Sequence, residues 1–297
     1  MKTQSFAGRL LMVAAALLLV AAGAFASGQP EGTESTAPAD VGFERGSEFN
    51  EAPMLHELVE AGELPPLEDR LPAEPMVEQV YEDIGFYGGD WHRTWEDYNG
   101  GKWSLGNLGE EALFRFAPDG SKVVPNVAKG YDMSDDARVF TVYLREGMRW
   151  SDGEPFDADD VLFYWEHMLI PETFGKQLYD CYYTVVDGER VRAEVEKVDQ
   201  YTVRITHGAP FPLFLERVAI DNKWFFAPEH FYETILPEFV GEEETLRIGR
   251  ERGYGGDVKN IGKWTGYYYW IWPDRPTLRP WMATNHPTED LFVMERN

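Results

Sequence analysis

The stretch from Ser134 to Trp165 constrains the fold of this chain more than any other, because a strand pattern runs into a helix start with nearly complete local chemistry. Val139 to Leu144 alternates, with Phe140, Val142 and Leu144 on one face and Thr141 and Tyr143 on the other, the period of a half-buried strand. Glu146-Gly147 supplies a turn and Met148-Arg149-Trp150 reads as a short return, so a hairpin is expected. Phe156 and Val161 then stand at the N′ and N4 positions of a hydrophobic staple, Asp157 is placed to cap, and Asp160 takes the acidic N3 position of a capping box. A helix therefore starts here. Val161, Leu162, Trp165 and Met168 or Leu169 give it an inward face, and Asp159 and Asp160 put negative charge at the positive end of its dipole.

The rest of the chain divides by composition. Residues 1–26 hold Lys2 and Arg9, the apolar run Leu10 to Ala22, then Ala24-Phe25-Ala26, the pattern of a secretory signal peptide cleaved near Ala26. The apolar run is shorter than the roughly 20 residues of a bilayer span, so export with cleavage is favoured over anchoring. Residues 27–52 are rich in Gly, Pro, Ser, Thr, Ala and Glu, which predicts a disordered linker. Met54, Leu55, Leu58 and Val59 mark a short helix stopped near Gly62 and closed off by Pro65-Pro66. Further on, Ala193–Val198 and Tyr201–Ile205 read as paired strands around Asp199-Gln200. Helices are expected at Asp159–Leu169, Phe211–Val218 and Glu229–Ile235, and a strand at Leu291–Met294. No internal repeat interrupts this mixed pattern, and the length permits one large or two small domains.

Charge and motif content exclude several chemistries. With 27 basic and 52 acidic residues the chain carries −25, so phosphate backbones and anionic membranes are repelled and nucleic acid is not an expected partner. Cys181 stands alone and reads as a small buried hydrophobe. Asp152, Glu154, Asp157, Asp159 and Asp160 do not fit a calcium-loop spacing, and capping accounts for three of them. The six histidines show no paired ligand spacing, and neither a P-loop, a complete dinucleotide glycine pattern nor a G-x-S-x-G elbow is present. No metal, cofactor or catalytic group is therefore expected.

The run Ser134-Asp135-Asp136, then Phe140 through Phe156, then Ala158 through Trp165, resembles the signature of the family 5 extracellular solute-binding proteins. Tyr87-Gly88-Gly89, Leu113 to Phe116, Val124 to Ala128 and Phe292 to Asn297 extend the likeness over roughly Ile84 to Asn297. That family supplies binding subunits of peptide, nickel and oligosaccharide ABC importers. The resemblance implies an α/β fold of the two-lobed periplasmic-binding type (type II, large cluster), with mainly the first lobe present. Residues 53–297 would form that lobe, and the chain would be an amino-terminal fragment whose ligand site, closed by a hinge in whole members, is half absent. It also implies a monomeric periplasmic receptor that delivers a solute to a membrane permease without a cofactor or covalent chemistry.

Aromatic residues carry the remaining signal. Trp91, Trp95, Tyr98 and Trp103 lie in a Gly-containing stretch with Glu96, Asp97 and Asn99, a mixture of flat apolar surface and hydrogen-bonding groups. By resemblance, the loop after the first strand of the lobe lines the cleft, as can a tyrosine following the Asp159 helix. Trp95, Asp97, Tyr98, Trp103, Tyr179 and Tyr182 are the expected ligand contacts, each also open to an ordinary packing role. The denser run Trp264, Tyr267–Trp270 and Trp272 is read as packing. An oligopeptide is the first expected ligand and an oligosaccharide the alternative. A secreted carbohydrate-active enzyme using Glu96 and Asp97 is a reading of another class, disfavoured because adjacent carboxyls rarely span the roughly 5 to 9.5 Å that glycoside cleavage requires. A remnant without independent function is the third.

Overall fold

The computed structural model describes residues 49, 51–78, 85–92, 111–169, 180–220, 225–252, 273–286 and 289–297. The expected signal peptide and all but three residues of the expected linker lie outside these, as does the aromatic run 264–272. Among the described residues no helix is long and apolar enough to cross a membrane.

At the centre is an antiparallel four-stranded sheet in the order β3-β4-β8-β7, with β3 at Ala128–Met133, β4 at Val139–Leu144, β7 at Glu194–Asp199 and β8 at Thr202–Thr206. The alternation of β4 is realised residue by residue: Phe140, Val142 and Leu144 have no exposed surface, while Val139, Thr141 and Tyr143 are half-buried. Across the ladder Phe140 faces Ile205 and Val142 faces Val203, so the buried positions of the two middle strands stand opposite one another and form one apolar face. Edge strand β7 presents Glu194, Glu196, Lys197 and Asp199 to solvent, charges that discourage further strand pairing.

Two small hairpins flank this sheet. One joins β1 (Phe114–Phe116) to β2 (Val123–Pro125), and the other joins β5 (Tyr183–Val186) to β6 (Glu189–Arg192). The second rests on the loop after β8, where Gly208 leaves no room for a side chain: a Cβ there would stand 3.0 Å from Val186 Cγ2 and 3.2 Å from Val191 Cγ1. Helix α1 (Pro53–Glu60) ends near Gly62 as expected, and α2 covers Leu67–Arg70.

Several expectations differ from the structure. Met148–Trp150 does not return along β4, because β3 and β8 already occupy both of its edges. It folds on itself instead, with Arg149 bridging Pro155, Trp150 N donating to Glu154 O at 2.8 Å and Phe156 N to Met148 O at 2.9 Å. The Asp159–Leu169 helix is an α-helix only over α3 (Ala158–Phe163), continuing as a π turn over Tyr164–Met168 that ends with Leu169 N bonded to Tyr164 O. Tyr164, Trp165 and Met168 of this turn are all buried, as is Phe163 just before it. The Phe211 helix begins three residues later, as α4 (Phe214–Ala219), after a turn in which Phe214 N donates to Phe211 O at 3.1 Å while Phe211 N donates to Ala137 O at 2.7 Å.

The last strand is Met294–Arg296 (β10), paired with Trp281–Ala283 (β9), rather than Leu291–Met294. The Asn285 side chain replaces a strand partner there, donating to Leu291 O at 2.6 Å and accepting from Val293 N at 2.7 Å. Among the described residues the remaining helices are α5 (Glu229–Tyr232), which stops three residues short of the expected Ile235, α6 (Pro237–Val240) and α7 (Glu242–Glu251). One hydrophobic core runs from Leu113 through β4, β8, α3 and α4 to Leu236.

Candidate functional site

The most ordered chemistry lies where α3 begins. Asp157 caps the helix, its Oδ1 accepting from Asp159 N at 2.9 Å, and Asp160 completes the box by accepting from Asp157 N at 3.1 Å. Phe156 and Val161, the staple pair, are both fully buried. Asp160 does more than cap. Its carboxylate, 4% exposed, also accepts from Trp150 Nε1 and from Glu229 N, each at 3.1 Å, and its own carbonyl receives Ala227 N at 3.1 Å.

One side chain thus ties the signature loop, the helix start and the segment leading into α5. Burial pushes the Asp160 carboxyl up to about 7 against the opposing pull of its three N–H donors. The neighbouring acids are engaged as well: both Asp159 oxygens meet Lys197 Nζ at 2.7 Å, and Asp152 meets His230 Nε2 at 2.8 Å. Ser151 and Thr277 exchange hydrogen bonds of 3.0 Å in both directions. These acids build the lobe. Among the described residues no group of three His, Cys, Asp or Glu could hold a metal ion.

Two buried polar residues complete the framework. Arg145 donates to three backbone carbonyls, Asn126 O at 3.1 Å, Glu74 O at 2.7 Å and Ala128 O at 3.4 Å, and so clamps the segment before residue 78 onto the sheet. His207, at the end of β8, is fully buried with neither ring nitrogen hydrogen-bonded. Nothing local in the sequence marks either role. The Ser151–Thr277 tie joins residues 126 positions apart and is equally silent to periodicity.

Of the six expected ligand contacts, Trp95, Asp97, Tyr98, Trp103 and Tyr179 lie outside the described residues, as does Glu96. Tyr182 is described. It has no exposed surface and packs edge-on to Trp165 and Phe225 at centroid distances of 5.7 and 5.2 Å, with its hydroxyl 3.4 Å from that of Tyr164. In this arrangement the ring fills the core rather than facing a solute. A surface depression of about 490 Å³ beside α7 is lined by Val240 to Glu244, Arg247 and Arg250. Arg247 there is already paired with Glu244 and Glu251, and the charged, open lining is unlike the largely apolar enclosure that holds small molecules.

Residues 122–243 match the family model described as bacterial extracellular solute-binding proteins, family 5 Middle. The chain is 30% identical over 275 residues to the periplasmic alpha-galactoside-binding protein of Rhizobium meliloti (strain 1021), covering 82% of this chain and 35% of that protein. Among solved structures it superposes on the oligopeptide-binding protein OppA with a TM-score of 0.72 at 31% identity, covering 84% of this chain and 38% of that one. It also matches the periplasmic binding protein MelB of Agrobacterium fabrum C58, solved with stachyose, with a TM-score of 0.53 at 26% identity over 82% of this chain and 36% of that one. The chain therefore spans a little over a third of the length of these relatives.

Proposed function

We propose, because residues 122–243 match the model of the family 5 bacterial extracellular solute-binding proteins, that this chain serves as part of the substrate-binding component of an ABC importer. It would be exported, trimmed near Ala26, and present a solute to a membrane permease as a monomer in the periplasm. An oligopeptide is the first ligand, supported by the likeness to OppA at a TM-score of 0.72 over 84% of the chain. Binding would use Trp95, Asp97, Tyr98, Trp103 and Tyr179, with Tyr182 supporting them from the core. Asp97 is suited to a peptide's amino group and the tryptophans to apolar side chains.

A second ligand reading has its own observation. The alpha-galactoside-binding relative and the stachyose complex each align with 82% of the chain, and stacking of tryptophan on a sugar face would use the same Trp95 and Trp103. Calorimetric titration of the chain and of Trp95→Ala and Asp97→Asn variants, with mixed tri- to pentapeptides and with stachyose, separates the two. Peptide heats abolished by Asp97→Asn support the first reading, stachyose heats abolished by Trp95→Ala support the second, and no heat from either overturns both. The protein is proposed to do no covalent chemistry; stachyose hydrolysis lost in Glu96→Gln and Asp97→Asn would contradict that.

A further inference from the structure

His207 closes the corner between β8 and α4. Its ring lies edge-to-face with Phe140 of β4 at 5.9 Å, with Phe211 at 5.1 Å and with Phe214 of α4 at 4.9 Å between centroids. No hydrogen bond reaches either nitrogen, so an imidazole is held where a leucine or phenylalanine would satisfy the surroundings. The backbone around it is tied to the opposite loop: His207 N donates to Arg138 O at 2.8 Å and Phe211 N to Ala137 O at 2.7 Å. Ala137 accepts that bond from a left-handed conformation, φ 52°, unfavourable for a residue with a Cβ. Ala209 N donates to Thr184 Oγ1 at 3.1 Å, which fastens the β5–β6 hairpin to the same corner.

We propose that His207 is an acid-operated latch: the neutral ring locks the β8–α4 corner among three phenylalanines, and protonation expels the ring and frees residues 207–214 together with the Ala137 loop. The charged groups of the packed elements do not offset the cost. Arg138, on the loop before β4, places a guanidinium at the His207 carbonyl, Nε to O 3.3 Å, and adds a like charge. On β8 Arg204 is paired with Glu196, and on α4 Arg217 is paired with Asp180, while Glu216 of α4 is half-buried. From the β5–β6 hairpin the corner receives Thr184, Val186 and Val191, none of them charged. Desolvation accordingly lowers the His207 pKa from 6.5 to about 4.

The sign follows directly. Above pH 6.5 both folded and unfolded forms hold the ring neutral; between 6.5 and about 4 only the unfolded or opened form takes the proton, so the opening equilibrium rises about tenfold per pH unit of acidification. The test is proton NMR of the full chain with hydrogen exchange, corrected for intrinsic rates, at pH 7 and 4.5, repeated for His207→Leu. The expected results are a His207 resonance that stays neutral until well below pH 6 and amides 207–214 that lose protection in acid more than those of β4. In His207→Leu that acid loss should vanish. A His207 midpoint near 6.5, or equal acid loss in the variant, overturns the latch, and the wild-type titration decides alone if the variant does not fold.

Discussion

Asp160 and His207 are both buried titratable side chains among aromatic rings, yet they stand in opposite relation to their surroundings. Asp160 accepts from three N–H groups drawn from the signature loop, the helix cap and the entry to α5, whereas His207 has neither nitrogen satisfied. A buried polar group with all its partners organises the chain around it; one with none occupies volume and stores a cost. The same burial moves the two groups in opposite directions, Asp160 up to about 7 and His207 down to about 4, so in mildly acidic solution both are uncharged in the folded chain.

The largest expected effect comes from breaking the satisfied member. Asp160→Ala orphans Trp150 Nε1 and the backbone N–H groups of Asp157 and Glu229, and removes the reciprocal half of the capping box. With three orphaned buried donors costing at least about 1 kcal/mol each and a cap about 1 kcal/mol, urea unfolding should register a loss of about 4 kcal/mol or more at pH 7. A loss under about 1 kcal/mol would mean that the loop, cap and α5 entry are held by apolar packing alone.

The next prediction uses pH to separate the pair. An acid whose folded pKa is raised keeps its proton in the native state between 3.8 and about 7 while the unfolded chain has lost it, so Asp160 favours folding at low pH and that contribution fades as pH rises through 7. His207 has the reverse sign, its contribution present above pH 6.5 and lost as pH falls toward about 4. Over the shared window, about pH 4 to 6.5, the two slopes oppose one another. Stability of the unaltered chain should therefore vary less with pH there than that of either Asp160→Asn, which should lose stability on acidification, or His207→Leu, which should gain it. Urea midpoints at pH 4.5, 5.5 and 6.5 measure this, and parallel slopes in all three proteins would remove the compensation.

A third substitution tests whether the His207 corner depends on close fit as well as on charge. Gly208→Ala adds a Cβ 3.0 Å from Val186 Cγ2, 3.2 Å from Val191 Cγ1 and 3.4 Å from Thr184 Oγ1. The branched side chains of a short hairpin yield only by moving the hairpin, which predicts a destabilisation of about 1–2 kcal/mol. Hydrogen exchange should rise at Ala209, whose N–H is held by Thr184, before it rises in β4.

What was legible in the sequence follows the range of the physics involved. The alternation of Phe140, Val142 and Leu144, the Asp157–Asp160 box and the Phe156–Val161 staple are local, and the structure realises each of them. The Met148–Trp150 return failed because a strand's partner is decided by what else competes for its edge, and β8, far along the chain, holds it. The Leu291 strand failed because Asn285 supplies side-chain hydrogen bonds that no hydrophobic period reveals. Arg145, reaching carbonyls 17, 19 and 71 positions away, and His207, packed against Phe140 of a strand some 67 positions earlier as well as Phe211 and Phe214, are products of tertiary assembly. Of the proposed ligand contacts only Tyr182 lies among the described residues, where its ring is core.

The smallest expected effect sharpens the comparison most, because it concerns the residue beside Asp160. Among the described residues Asp159 has a single side-chain partner, Lys197 Nζ at 2.7 Å from both oxygens, and its side chain is 49% exposed and that of Lys197 33%. Water already solvates both charges, so the pair gains little on forming and must hold a long lysine side chain in one geometry. Lys197→Ala should cost about 0.2–1 kcal/mol, and the difference should shrink in 1 M salt, where the Debye length falls to about 3 Å. The cost of Asp160→Ala should barely respond to the same salt, since its partners are buried N–H dipoles. If Lys197→Ala proved as damaging as Asp160→Ala, burial would not set the value of a carboxylate at this helix start. The expected separation, several-fold between the exposed ion pair and the buried carboxylate, follows from burial together with the three donors that Asp160→Ala orphans.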